Sequence, residues 1–309
     1  MLPRPAPAPA VSRQEGDVRI GLFLPSVSPI ATPEYLTAYA EAAEAAGFDS
    51  IWIGEHVVFL DEYTSQYPYA ADGRLALPAD NGMLELFTTL TYLAAVTSRV
   101  RLGTAVCLVP QRNPVYTAKE VANVDWLSGG RVDFGIGIGW LREEFEVLDA
   151  PFESRAAATR DYVEVMKTCW RDDVSTYEGA HYTLPPCRMY PKPVQHPHPP
   201  LYFGGETDAA LRRVAALGDG WHGFNHLPDS AAMSIRRLEK FLADGGRTRA
   251  DIDVTVGAYL QPVQPSHLPA YRDAGVDQLV LTGFALDAPG ARDVIAKLGD
   301  EFIGPASEL

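Results

Sequence analysis

Eight short apolar runs, each followed by helical periodicity, constrain this chain more than any other feature of its sequence. The runs are Val18–Leu24, Ser50–Gly54, Val100–Val106, Val132–Ile138, Leu201–Phe203, Gly220–Phe224, Asp253–Ala258 and Gln278–Thr282. Many lack polar alternation, the pattern of parallel strands whose outer faces are covered by helices. Thr32-Pro33 opens the first helix as cap and first residue, and Gly47 closes it. Further helical segments fall near Leu84–Val96, Pro114–Leu127, Phe152–Trp170, Thr207–Leu217, Asp229–Asp244, Ser266–Ala274 and Ala288–Glu301. This α/β alternation predicts a single closed (β/α)8 TIM barrel. An open doubly wound sheet is the rival, and eight units in one chain favour closure. No linker interrupts Val18–Gly304, so one barrel domain is expected over 18–309. The Pro/Ala-rich residues 1–17 read as a disordered tail rather than a signal peptide.

Two connections are too long to be turns. Val57–Met83 follows the second strand, and Arg171–Pro200 lies between the fourth and fifth strands with two strand-like runs, Val174–Tyr177 and His181–Leu184. Loops of this length are commonly lids or binding loops. Both are expected to leave or reach the carboxyl face of the barrel, where barrel active sites lie.

Composition narrows the function classes. A net charge of −14 argues against nucleic-acid or anionic-membrane partners, which would want a basic face. Three scattered cysteines without a Cys-x-x-Cys argue against a disulfide framework or zinc site and fit a reducing cytoplasm. No segment approaches the roughly 20 apolar residues of a membrane span.

Ile51-Trp52-Ile53-Gly54-Glu55-His56 is the first piece that could carry chemistry: a strand stops abruptly in a carboxylate and an imidazole. That is how parallel-sheet enzymes place acid/base groups, and histidine moves protons near neutral pH. A solvated turn would read the same way. In Phe203-Gly204-Gly205-Glu206-Thr207, a strand ends, two glycines turn and Thr207 can cap a helix. Free amides at such a helix start bind phosphate, although a plain Gly-rich turn is an equal reading. Gly135, Gly137 and Gly139 clear one side of a strand, so something flat or another backbone must approach there. This spacing is not a dinucleotide-binding fingerprint. Gly103-Thr104-Ala105 also leaves room at a strand end, and barrel packing is the preferred account. His196-Pro197-His198 sits in a Pro-rich approach, the first strand has no ligand, and His222 and His226 read as loop or core histidines, so no metal site is expected. Serine-elbow and P-loop motifs are missing.

Taken in order, Ile51–Val57, Arg101–Val106, Pro110–Pro114, Leu127–Arg131, Gly137–Glu144, Pro191–Pro193, Gly204–Gly205 and Leu217–Trp221 resemble the bacterial luciferase-like monooxygenase superfamily. The resemblance is nearest to its coenzyme F420-dependent oxidoreductase branch. It implies F420, or alternatively FMN, held at the carboxyl face. It also implies His56 as acid/base or hydrogen-bond donor at the reactive ring edge, with Glu55 orienting the ring or the imidazole. Many members carry a non-prolyl cis peptide after the third strand, and Ala105–Val106 is the matching bond. Gly137, Gly139 and Trp140 are then expected to flank the cofactor, and Gly204, Gly205, Glu206 and Thr207 to hold its phosphate. A homodimer and a separate flavin or F420 reductase fit the same resemblance.

Trp140 stands where sugar-phosphate dehydrogenases of the superfamily place a catalytic glutamate, which disfavours their two-residue mechanism. Glu143 and Glu144 are expected on the following turn and not to stand in for it. Three functions follow: an F420-dependent hydride-transferring oxidoreductase acting on a small organic substrate, an FMN-dependent monooxygenase using reduced flavin and oxygen, and a non-catalytic flavin-binding barrel.

Overall fold

A computed structural model describes residues 18–75 and 80–309 of the protein. The first half of the chain contributes β1 (Arg19–Phe23), α1 (Pro33–Ala46), β2 (Ser50–Ile53), α2 (Leu86–Val96), β3 (Arg101–Thr104), β4 (Cys107–Leu108) and α3 (Pro114–Ser128). Next come β5 (Val132–Gly137), α4 (Arg142–Val147), α5 (Arg155–Arg171) and a hairpin of β6 (Ser175–Glu178) and β7 (Thr183–Cys187). The chain then runs through β8 (Leu201–Gly204), α6 (Asp208–Leu217), β9 (Gly220–Phe224) and α7 (Pro228–Asp244). It ends with β10 (Asp253–Gly257), α8 (Leu268–Asp273), β11 (Gln278–Thr282) and α9 (Ala288–Ser307).

The parallel strands hydrogen-bond in the order β3-β2-β1-β11-β10-β9-β8-β5, and β5 pairs back with β3, so the expected eight-stranded barrel closes. The third barrel position is one strand in two pieces. Gly103 is opposite Asp133, yet Cys107 is opposite Ile136, so this strand carries one residue more than its neighbour. That bulge coincides with a cis Ala105–Val106 peptide, the bond the family resemblance points to.

The barrel is filled in layers. At the amino end of the strands Arg19 pairs with Asp253 at 2.5 Å and with Asp49 at 3.4 Å, and Arg101 pairs with Asp133 at 2.5 Å. Above this floor Trp52 meets Tyr202 edge-on at 5.4 Å. Small residues opposite make the space: a Cβ on Gly103 would lie 2.2 Å from the Trp52 ring, and one on Gly220 would lie 2.3 Å from Tyr202. Barrel packing is therefore what the small residues near Gly103 serve. Next comes His222, whose Nε2 lies 2.6 Å from the Tyr259 hydroxyl.

Beneath the barrel, the guanidinium of Arg131 is buried and donates only to oxygens of neighbouring turns. These are Ser128 O, Val100 O, Ala94 O, Thr97 O and Thr97 Oγ1, all at 2.7–3.0 Å.

The insertion at 171–200 departs from expectation. It leads from the end of α5 into β8, and its hairpin lies on the outside of α5, where Asp161 accepts from the His181 amide at 2.7 Å and the Tyr177 hydroxyl at 3.1 Å. Lys192 closes the end of α5 through Cys169 O and Asp172 O. This loop braces the outer wall and is no lid. Among the described residues no helix is long and apolar enough to cross a membrane, and no cluster of three or more potential metal ligands occurs.

Candidate active site

β2 ends at Ile53, and the chain turns at Gly54 to present Glu55 and His56 at the carboxyl face. The two side chains part company there. The half-exposed turn carries His56 toward α4, whose first turn contributes Glu144, and Glu144 is fully buried. Glu144 Oε2 lies 3.1 Å from His56 Nδ1 and accepts from Gln111 Nε2 at 3.1 Å, while Oε1 accepts from the Val57 amide at 2.7 Å. Burial opposes a charge on Glu144, but the bonds from His56, Gln111 and Val57 outweigh it and hold the carboxyl below its ordinary range. An ionised carboxylate can only accept, so His56 Nδ1 carries the hydrogen of this bond and Nε2 is left for chemistry.

Glu55 does something else. Its oxygens accept from the Leu108 amide at 2.6 Å and from Arg112 Nε at 2.9 Å, and it forms an ion pair with Arg112 Nη2. Glu55 thus fastens the end of β2 to the bulged third strand and makes no bond to His56. Of the two roles the resemblance implies for Glu55, orienting the imidazole falls to Glu144, which stands on the turn after Trp140 as the sequence places it and bonds His56 Nδ1.

The glycines on β5 are accounted for by the protein itself. A Cβ on Gly135 would fall 1.8 Å from the Thr104 carbonyl, and one on Gly137 would fall 2.4 Å from Val106 Cγ2. Gly139 takes φ +76° with the Phe145 ring behind it. The space beside Gly137 therefore holds Val106, which also approaches Gly204. Ala105 and Val106 form a shelf at the mouth, supported from below by these glycines. On the far side Gly205 adopts φ +103°, its carbonyl accepts from the Trp221 indole at 3.0 Å, and Thr207 Oγ1 caps α6 through the Ala210 amide. Glu206 turns inward, accepting from the Phe224 amide at 2.9 Å and the Tyr69 hydroxyl at 2.8 Å. A carboxylate so engaged is a poor phosphate ligand, which sets the Glu206 side chain apart from the phosphate role expected of it.

The loop after β2 crosses the mouth. Glu143 accepts from the amides and hydroxyls of both Thr64 and Ser65, which hold its carboxyl down at about 2 against its slight burial. Tyr67 packs on Trp140 at 5.1 Å, and Tyr69 on Phe224 at 4.1 Å. Trp140 also stands 6.0 Å from the His56 ring, edge-on. Within this wall Gln111 Oε1 is buried without a partner, as is His226 Nε2 nearer β9. Gln111, Arg112 and Glu144 are the residues to which sequence reasoning gave no role in the site. No local signal marks Glu144, since an acid on a short amphipathic helix ordinarily faces solvent.

The family model for luciferase-like monooxygenases matches residues 18–265, and the chain belongs to that family. It is similar to an uncharacterised protein of Mycobacterium tuberculosis, 35% identical over 248 residues, covering 79% of this chain and 85% of that one. A candidate coenzyme F420-dependent oxidoreductase of the same organism is 27% identical over 249 residues, 75% of this chain and 62% of that one. The fold is similar to that of the coenzyme F420-dependent tetrahydromethanopterin reductase from Methanopyrus kandleri, with TM-score 0.73 and 19% identity over 93% of this chain and 99% of that one.

Proposed function

We propose that the protein is an oxidoreductase that transfers a hydride between coenzyme F420 and a small organic substrate at the carboxyl face of the barrel. The observation that carries this reading is the buried Glu144 carboxylate bonded to His56 Nδ1, which leaves the other ring nitrogen at the mouth. The residues present fit a flat tricyclic cofactor. Gln111 Oε1 is an unpartnered buried acceptor beside His56, matching a ring N–H, and the Ala105–Val106 bulge offers a shelf behind a planar group. Gly204, Gly205 and Thr207 place the first turn of α6 where a phosphate would be received. When bound, the deazaflavin supplies two-electron hydride exchange.

The chain's own groups handle the proton. As a hydride adds to a carbonyl carbon, His56 Nε2–H gives its proton to the oxygen, and in the reverse direction the neutral nitrogen takes it back. Glu144 keeps the hydrogen of the neutral ring on Nδ1, so that Nε2 is the atom that takes and gives the proton, and its charge stabilises the imidazolium that donates. Trp140, Tyr67 and Tyr69 exclude water from the mouth. The similarity to a candidate F420-dependent oxidoreductase supports this choice of cofactor. A homodimer and a partner reductase rest on the family resemblance and a cytoplasmic setting on the three scattered cysteines, and all are proposed with it.

The second reading, an FMN-dependent monooxygenase using reduced flavin and oxygen, is supported by the family's description. Titrating the purified protein with F420 and with FMN separates the two. We expect F420 to bind in the micromolar range and FMN at least about tenfold more weakly, a gap of about 1.4 kcal/mol. Micromolar FMN binding without F420 binding overturns the proposal. F420 binding without turnover of any carbonyl or alkene in a broad panel would make the protein a binder.

A further inference from the structure

A cleft of about 870 Å3 opens between the start of the loop after β2 and the first turn of α4. Its inner wall is aromatic. Phe59 and Trp140 line it, and their rings lie 5.2 Å and 6.0 Å from the His56 ring, so the cleft is one side chain away from the imidazole. Tyr63 stands edge-on to Trp140 at 5.8 Å and completes a slot of ring faces and edges. Planar apolar groups fit such a slot through stacked and edge-to-face contacts.

The charges around the cleft are three carboxylates, Asp61, Glu62 and Glu143, against the single guanidinium of Arg74. Arg74 is already engaged, donating to the Tyr63 carbonyl at 2.8 Å with its guanidinium 4.6 Å from the Tyr63 ring centroid. Glu143 is fixed in its ionised form by Thr64 and Ser65. Asp61 and Glu62 are exposed at the rim. An anionic molecule entering here meets a negative field in which, among the described lining residues, the one cation is already engaged.

We propose that this cleft receives the substrate, and that it selects a flat, apolar molecule without negative charge. The inference rests on the reading of His56 as the acid/base group, because it is proximity to His56 that makes the cleft a substrate site.

Binding measured without cofactor keeps the two ideas apart. Isothermal titration of the full-length protein with three probes of one shape tests the charge rule: 2-acetylnaphthalene, 2-naphthoate and 2-naphthyltrimethylammonium. The neutral and cationic probes are expected to bind at least about tenfold more tightly than naphthoate at low salt, with the gap narrowing as salt screens the rim. The Asp61→Asn/Glu62→Gln double variant is expected to raise naphthoate affinity about threefold to tenfold and leave acetylnaphthalene unchanged. Trp140→Ala is expected to weaken acetylnaphthalene binding about tenfold, with Trp140→Phe restoring most of it if the alanine variant folds poorly. Naphthoate binding as tightly as acetylnaphthalene overturns the proposal. So does indifference of all three probes to the rim and Trp140 variants, which would put them elsewhere in the barrel mouth. Either failure leaves the F420 titration result standing.

Discussion

Two carboxyl–imidazole neighbours face each other across the barrel mouth, alike in composition and different in wiring. On the β2 side Glu144 is 3.1 Å from His56 Nδ1; on the β9 side Glu206 Oε1 is 4.0 Å from His226 Nε2. Both carboxyls are largely buried. Four groups bond to Glu144, namely His56, Gln111 and the amides of Val57 and Val58, and it stays ionised against the cost of burial. Two bond to Glu206, the Phe224 amide and Tyr69, and there burial wins and raises the carboxyl above its ordinary value. His226, unpartnered at Nε2, is pushed down to about 4 by burial. A buried carboxylate can support a charged imidazole only when enough donors keep the carboxylate itself ionised. The first pair can act on a proton; the second is a brace that anchors the loop through Tyr69.

Four changes would break or sharpen that contrast. His56→Ala is expected to lower turnover about a hundredfold while cofactor affinity moves less than a few fold, read by single-turnover kinetics and titration. Unchanged turnover would remove His56 from the chemistry. Glu144→Gln keeps the shape and removes the charge, so turnover should fall about thirtyfold while cofactor affinity moves less than a few fold. A loss that merely follows weakened cofactor binding or lowered thermal stability would make Glu144 structural.

The next expectation concerns stability. Burial lowers His222 to about 3 and His226 to about 4 from an ordinary 6.5. Below pH 6.5 the unfolded chain binds protons at both rings while the folded protein refuses them until about pH 4. Stability is therefore full above that window and falls as pH drops through it, by roughly 1.4 kcal/mol per pH unit for each histidine. Chemical denaturation between pH 7 and 4.5 checks this, and a His222→Gln/His226→Gln variant should flatten the slope. A slope unaltered by the double variant would show that other groups govern acid unfolding. The smallest effect is expected of Glu206→Gln, which keeps an acceptor for Tyr69 and should change turnover less than about threefold. A loss as large as that of Glu144→Gln would end the distinction between the two pairs.

The barrel was legible because its signal is local. Buried parallel strands read as unbroken apolar runs, and caps such as Thr32 and Gly47 mark helix ends within a few residues. Even so, α4 went unseen, since six residues give too little periodicity. The site was legible only where it coincides with a strand end, at Glu55 and His56. Which acid serves the imidazole is decided by a contact across 88 positions of sequence, and Glu55 next door is claimed by Arg112 from 57 positions away. The glycine pattern on β5 correctly announced a close approach, but nothing in it distinguishes a cofactor from the chain's own Thr104 carbonyl and Val106. Tyr69 looked like any loop tyrosine until Glu206 was placed opposite it.

Arg131 bears on what a family signature means. Its guanidinium replaces a carboxylate partner with five oxygens of the turns around it, a geometry that the single ammonium of a lysine cannot reproduce. It lies at the end of the barrel opposite the chemistry, yet Leu127–Arg131 is among the stretches by which the chain is assigned to its family. Part of what makes this ancestry easy to read is thus a fastening in the foundation, indifferent to what is reduced or oxidised above it.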